Sequence, residues 1–407
     1  MAQKEKLHMK GKEKLILCLL LYAFTACANK NTEQCITIFL HGTVMPYITF
    51  FDVIKLKNKD IQPTMLTRMN KLYRKSPFFY QCQPIQGLGL KPIHFAQSHP
   101  GNAAQAFGKT FHLLNKKCCP DKKINRYYTF GWSGLLNKHV RDVASQQLYD
   151  ELEREINKLR KFNDGPIHVT LCCFSHGGNV GLGLYKYVNT KKTPFMIDQL
   201  ILFGTPIQED SYKGLKSPLY KNVYNLYSLG DRIQKFDFIS GSETARTFEG
   251  TDLPKKLKQV RIRFNRRRTP YKMGREYAEK TKKRVYPGHI ELWFFGWTHK
   301  WYRPHFPLQP FPVAAFTPFI VKTVNDLGTT NTMTIEISPR SGQTMVTSYD
   351  DNFDSKDKKF TNSMTKSDLH WLQSKVKAFS PRNYKRSYRT HFNALVKKAR
   401  KQLRVSS

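Results

Sequence analysis

Residues 167–178 read IHVTLCCFSHGG, and how this stretch is read decides the fold. IHVTLCCF is an unbroken apolar run of strand length, the pattern of a parallel strand covered on both faces. Ser-His-Gly-Gly follows it, and NVGLGLYKYVN then carries helical spacing. A serine between a buried strand and a helix is either a nucleophile on a tight elbow or a residue of a glycine-rich turn. Such an elbow needs small residues two positions before and after the serine. Gly177 meets the second requirement, Gly178 adds clearance for the helix, and Cys173 stands where the first glycine would be.

Outward from this point the chain alternates strands with helices. CITIFLHG, from Cys35, is a short apolar strand ending in His41-Gly42, and RYYTFGW is a second, aromatic one. AAQAFGKTFHLLNK has helical spacing. HVRDVASQQLYDELEREINKLRKF places Val140, Val143, Ala144, Leu148, Leu152, Ile156 and Leu159 at that spacing, and Asn163-Asp164-Gly165-Pro166 stops it. QLILFG, NVYNLYSL and QVRIRF are further strands, with QVRIRF the last that looks like core. Strands separated by helical or long connections predict an α/β architecture with a mostly parallel central sheet flanked by helices.

The length of 407 residues and a hydrophobic content of 40% allow a large core and exclude global disorder. The 68 basic against 30 acidic residues give a net charge of +38, which favours anionic partners without saying which. Five lysines (Lys4, Lys6, Lys10, Lys12 and Lys14) precede the apolar run LILCLLLYAFTACA, which ends in small residues. This predicts an export signal over residues 1–28, cleaved after Ala28 or lipidated at Cys27, with an uncleaved interfacial anchor as the alternative. The segment holds five Lys and two Glu, so its removal takes only three charges and leaves +35. Of the six cysteines beyond it, Cys118–Cys119 and Cys172–Cys173 are adjacent pairs, and no Cys-x-x-Cys is present to suggest zinc.

A serine hydroxyl needs a base to take its proton and donors for the oxyanion that its attack creates. Downstream of Ser175, NVYNLYSLGDRIQ places Asp231 directly after a strand, where it would orient a histidine, and Asp237 competes from further along. His289 in PGHIELWFF is the candidate base, on the loop that follows QVRIRF, with His299 and His305 as rivals. FLHGTV offers backbone N–H groups at Gly42 or Thr43 as oxyanion donors beside that of His176, while His41 fits better as a residue that fixes the loop. Ser133 in FGWSGLL lacks a glycine two residues later and reads as strand-end packing.

With His41-Gly42, Ser175, Asp231 and His289 in this order, residues 35 to 325 resemble the α/β-hydrolase superfamily, particularly its lipase- and esterase-like members. FLHGTV is similar to the family's His-Gly oxyanion loop, FSHGGN to its Ser-x-Gly-Gly elbow, and ILFGTPI to the Gly-Thr-Pro of many lipases. Cys173 departs from the elbow pattern. The resemblance implies a catalytic domain over 29–325, a Ser175–Asp231–His289 triad, ester hydrolysis through an acyl-enzyme on lipid-like substrates, and no metal or organic cofactor.

Two basic regions lie outside that pattern. Residues 255–284 hold 14 Lys or Arg against two Glu, a net +12 between the candidate acid and base. They are a candidate docking surface for anionic head groups rather than for nucleic acid. Residues 326–407 form a basic C-terminal extension in which TMTIEIS and QTMVTSY predict a β-hairpin. The 26 residues from Arg382 hold nine Lys or Arg and no acid, and read as an appendage. The rival functional class is a catalytically idle scaffold that binds lipid surfaces or nucleic acid through these segments.

Overall fold

The computed structural model describes residues 32–43, 68, 71–76, 78, 81–118, 123–135, 138–188, 194–231, 233, 245–264, 286–297, 308–327, 332–340, 343–349, 359–382 and 388–404. Residues 1–28, where an export signal is predicted, Asp237, His299, His305 and residues 265–284 of the basic stretch lie outside them.

The strands are β1 (Gln34–Leu40), β2 (Gly89–Pro92), β3 (Ile124–Gly131), β4 (Ile167–Phe174), β5 (Ile197–Phe203), β6 (Tyr220–Tyr227), β7 (Leu257–Phe264), β8 (Thr332–Arg340), β9 (Gln343–Tyr349) and β10 (Lys359–Thr365). They form one sheet in the order β10-β9-β8-β7-β6-β5-β4-β1-β3-β2. From β3 to β8 every neighbouring pair is parallel, while β2 and the β9–β10 pair run antiparallel at the two edges. The fold is therefore α/β with a mostly parallel sheet. The predicted hairpin is β8–β9, joined register to register up to Arg340↔Gln343. QVRIRF is not the last core strand. β8 continues the sheet beside it, burying Met333, Ile335 and Ile337 on the same side as Val260 and Ile262.

The helices are α1 (Ala103–Cys118), α2 (Lys138–Arg160), α3 (His176–Gly183), α4 (Glu209–Lys216), α5 (His289–Trp293), α6 (Thr317–Leu327), α7 (Lys366–Val376) and α8 (Tyr388–Arg404). Alternation along the strands sends side chains to two cores. Phe39, Cys172, Phe174, Ile201 and Phe203 face α1, α5, α6 and α7. Ile36, Ile38, Leu40, Leu171, Cys173, Leu200 and Leu202 face α2, α3 and α4. Both faces are covered, which is why the central strands read as continuous apolar runs. On α2, Ala144, Leu148, Leu152, Ile156 and Leu159 are buried as the spacing predicts, whereas Val143 is 51% exposed. It sits one position, about 100° of helix rotation, from Ala144 and turns toward solvent.

Strand order reverses between β1 and β4. The chain leaves β1 toward β3, then crosses back to place β4 on the other side of β1. In an open parallel sheet the crevice at the carboxyl ends of two such strands is where ligands bind. His41-Gly42 ends β1 there, and Ser175 ends β4 beside it.

Candidate active site

Ser175 is the N-cap of α3 and has φ 52° and ψ −131°, the one positive φ at a non-glycine position among the described residues. An L-residue adopts that backbone only where its surroundings over-determine it. Here the Ser175 N–H donates to the Phe203 carbonyl at 2.9 Å, and the Ser175 carbonyl accepts from the Gly178 N–H at 2.8 Å. The elbow is packed too tightly for side chains. A Cβ at Gly177 would lie 2.5 Å from the His41 carbonyl oxygen, and one at Gly178 would lie 2.0 Å from Thr205 Oγ1. Cys173 fits because the helix opposite it is bare: a Cβ on Gly181 would stand 2.8 Å from its sulfur. Burial holds the Cys173 thiol well above its ordinary range, so it is protonated and inert.

The candidate oxyanion loop touches the elbow directly. A Cβ at Gly42 would lie 2.7 Å from Ser175 Cβ, so only glycine permits this approach. His41 is fully buried and stacked on Trp132. Its Nε2 accepts from the Trp132 N–H at 3.2 Å and from Arg74 Nη2 at 3.0 Å, which leaves Nδ1 to donate to the Gly42 carbonyl at 2.7 Å. Burial first, and the Arg74 cation second, hold the imidazole well below the usual 6.5. It is neutral, with one tautomer selected by these contacts. Arg74 also donates to the carbonyls of Trp132 and Gln86, and Trp132 Nε1 donates to the His41 carbonyl at 2.8 Å. His41 thus anchors the loop, as its sequence context predicts. Thr43 follows Gly42 with a buried hydroxyl that has no hydrogen-bond partner among the described residues.

Asp231 and His289, separated by 58 positions, meet at 2.6 Å through Oδ2 and Nδ1. Asp231 is fully buried and follows β6; its Oδ1 accepts the Ile233 N–H at 3.0 Å, and its carbonyl accepts from Arg246 Nε at 3.1 Å. His289 opens α5, where Glu291 accepts the Gly288 N–H at 2.6 Å. The imidazole packs 4.5 Å from the ring of Phe174, the residue before Ser175. Asp231 after β6 and Ser175 after β4 therefore both lie at the carboxyl ends of the parallel strands, with His289 against Asp231 and Phe174. Ser133, by contrast, lies at the end of β3, and its hydroxyl accepts the Leu135 N–H.

Three supports of this pair carry no sequence signal for that role. Ser228, fully buried, donates to the Pro287 carbonyl at 2.6 Å and accepts the Gly230 N–H, tying the Asp231 loop to the His289 loop. Arg246 holds the Asp231 backbone. Gly204, at φ 55°, underlies the pair: a Cβ there would lie 2.7 Å from Asp231 Oδ2 and 3.1 Å from His289 Nδ1. The Gly-Thr-Pro turn was visible in the sequence, but its place beneath the carboxylate was not.

Part of the basic stretch is spent on the sheet. Arg263 pairs with the buried Glu336 at 2.6 Å, and Arg261 donates to Thr334 at 2.9 Å. Cys172 and Cys173 carry free thiols.

The arrangement supplies a buried carboxylate, an oriented imidazole, a hydroxyl on a strained turn and a loop closed against it, the parts needed for nucleophilic catalysis at a carbonyl. In comparisons with known proteins the chain matches no family model and no curated protein.

Proposed function

We propose that the protein is an exported serine hydrolase of the α/β-hydrolase type that cleaves carboxylic esters, on lipid-like substrates, through an acyl-enzyme. The observation that carries this reading is the 2.6 Å contact of the buried Asp231 with His289, on the edge where Ser175 holds its positive φ. A carboxylate accepting from Nδ1 fixes the tautomer whose Nε2 is a base.

In this mechanism His289 Nε2 takes the proton of Ser175 as Oγ attacks the ester carbonyl carbon. The carbonyl π pair moves onto oxygen, and the oxyanion is held by backbone N–H groups of His176 and of Gly42 or Thr43. Collapse breaks the bond to the leaving alcohol, which receives its proton from His289. Water then repeats the sequence on the acyl-enzyme, giving up one proton to His289 and releasing the acid and Ser175. Asp231 holds the imidazole in place and stabilises the imidazolium. Substrates of low polarity fit an edge where the Asp231 loop leaves Leu229 42% and Ile233 53% exposed.

The test is labelling with a fluorophosphonate probe, followed by a screen of acyl esters and phospholipids. Wild type should label and Ser175→Ala should not. Equal labelling of the two removes Ser175 as nucleophile, and a folded wild type that fails to label favours the idle scaffold.

A further inference from the structure

After Asp368 the chain has no acidic residue, and residues 369–407 hold 11 Lys or Arg. Much of this charge is mounted on a fixed element. In α8, Leu395 and Ala399 are buried one turn apart, while Lys397, Lys398, Arg400 and Lys401 are exposed. These four are neighbours on the outer helix face, at spacings of three and four.

The contacts of α8 tie it to the chain segment that carries Arg74. His391 stacks on Phe78 at 3.7 Å and 11°, and the Gln402 carbonyl accepts from Arg68 Nη1 at 2.5 Å. Between Arg68 and Phe78 in the sequence comes Arg74, whose guanidinium holds His41 and Trp132 at the carboxyl ends of β1 and β3. Helix α7 arrives at the same edge. It runs antiparallel to α1, with Lys117 on Asp368 at one end and the Gly101 N–H on the Phe379 carbonyl at the other. The Lys117 end leads into the start of β3, so the far end, with exposed Lys375, Lys377 and Arg382, lies toward the strands' carboxyl ends. Four strand spacings from β3, about 19 Å, the Asp231 loop exposes Leu229 and Ile233 at the carboxyl end of β6.

We propose that this edge is a membrane-docking surface, in which the outer face of α8 seats on anionic phospholipid head groups and turns the Ser175 crevice toward the bilayer. Cationic groups draw the protein to an anionic leaflet, and exposed aliphatic side chains gain by entering its interface. A nucleic acid would match the cations but offer nothing to Leu229 and Ile233. The choice of lipid among polyanions rests in part on the ester-hydrolase reading; the binding surface does not.

The experiment measures co-sedimentation of the Ser175→Ala protein, which needs no turnover, with phosphatidylcholine vesicles containing or lacking phosphatidylglycerol. Binding should require phosphatidylglycerol and weaken with salt. Each neutralised charge should cost roughly fivefold in partitioning, so K397Q/K398Q/R400Q/K401Q should lose at least about 100-fold. With Ser175 restored, that variant should hydrolyse a soluble short-chain ester at the wild-type rate. L229S/I233S should weaken vesicle binding and leave binding of a duplex oligonucleotide unchanged. Undiminished vesicle binding by the quadruple variant overturns the proposal, as does salt-insensitive binding by the parent. An oligonucleotide bound more tightly than anionic vesicles assigns the face to nucleic acid instead. Loss of esterase activity with docking intact, or the reverse, separates this proposal from the catalytic one.

Discussion

Gly42→Ala tests whether the loop after β1 serves the nucleophile. The added Cβ would stand 2.7 Å from Ser175 Cβ and 3.0 Å from both Phe174 Cδ1 and the Phe174 carbonyl oxygen, where ordinary contacts begin at 3.4 Å. The loop must therefore retreat by about 0.7 Å, because close-packed neighbours on this side cannot. Ser175 is fixed by its bonds to Phe203 and Gly178, and Phe174 is stacked on Trp293 at 4°. A misplacement of about 1 Å costs about 100-fold in a pre-organised site, so a loss of some 20- to 50-fold in kcat is expected, with little change in KM. Over-packing should also cost about 1–3 kcal/mol of stability. Gly87→Ala, whose Cβ would meet nothing nearer than 3.8 Å, is the control. Steady-state ester hydrolysis, the rate of fluorophosphonate labelling and urea unfolding would be followed together. If folded Gly42→Ala labels and turns over like wild type, the loop does not hold the oxyanion and the reasoning fails.

Asp231→Asn should keep the fold but favour the wrong His289 tautomer, lowering kcat by about 10²–10⁴-fold; a loss under fivefold would remove Asp231 from the mechanism. Gly204→Ala should act on the same pair through its clash with Asp231 Oδ2, reducing kcat without abolishing folding, and unchanged kinetics would count against the geometry. His41 is neutral when folded, with its pKa depressed, whereas in the unfolded chain it titrates at 6.5. Its contribution is thus complete above pH 6.5 and is lost as pH falls below it, at up to about 1.4 kcal/mol per pH unit. Urea unfolding between pH 8 and 5 should show this limb, and His41→Gln should flatten it by up to one proton; an identical slope refutes the assignment. Cys172 and Cys173 are fully buried with thiols pushed well above the ordinary range, so iodoacetamide should modify them only after unfolding. Mass spectrometry showing either alkylated in native protein would contradict that burial.

Local chemistry explains which features were legible in the sequence. Periodicity marks α1, α2 and the strands β1, β3, β4, β5, β6 and β7, because each is long enough to show its buried face. β2 has four residues and too short a pattern to read. α8 was hidden in a stretch whose basic composition reads as an appendage, and α7 precedes it with too short a pattern to read, since their buried residues are few: Leu369, Leu372, Val376, Leu395 and Ala399. β8 reads as hairpin because its antiparallel partner is adjacent in sequence, whereas its parallel partner β7 lies across more than sixty residues.

What the sequence by itself determined is the elbow's chemistry and the order of the candidate groups. A buried strand running into Ser-x-Gly-Gly restricts the turn locally, and Gly42, Asp231 and His289 each follow a turn or strand end. The tertiary structure alone decided that these groups meet. It set β1 beside β4 so that Gly42 closes on Ser175, placed Gly204 beneath Asp231 and His289, and joined their loops through Ser228. Contacts across tens of residues depend on the sheet's order, and hydrophobic patterning specifies each strand's faces but not its neighbours. The same limit kept Arg74 out of reach. A cation in an aromatic-rich connection looks like solvated surface until folding buries it against His41 and Trp132.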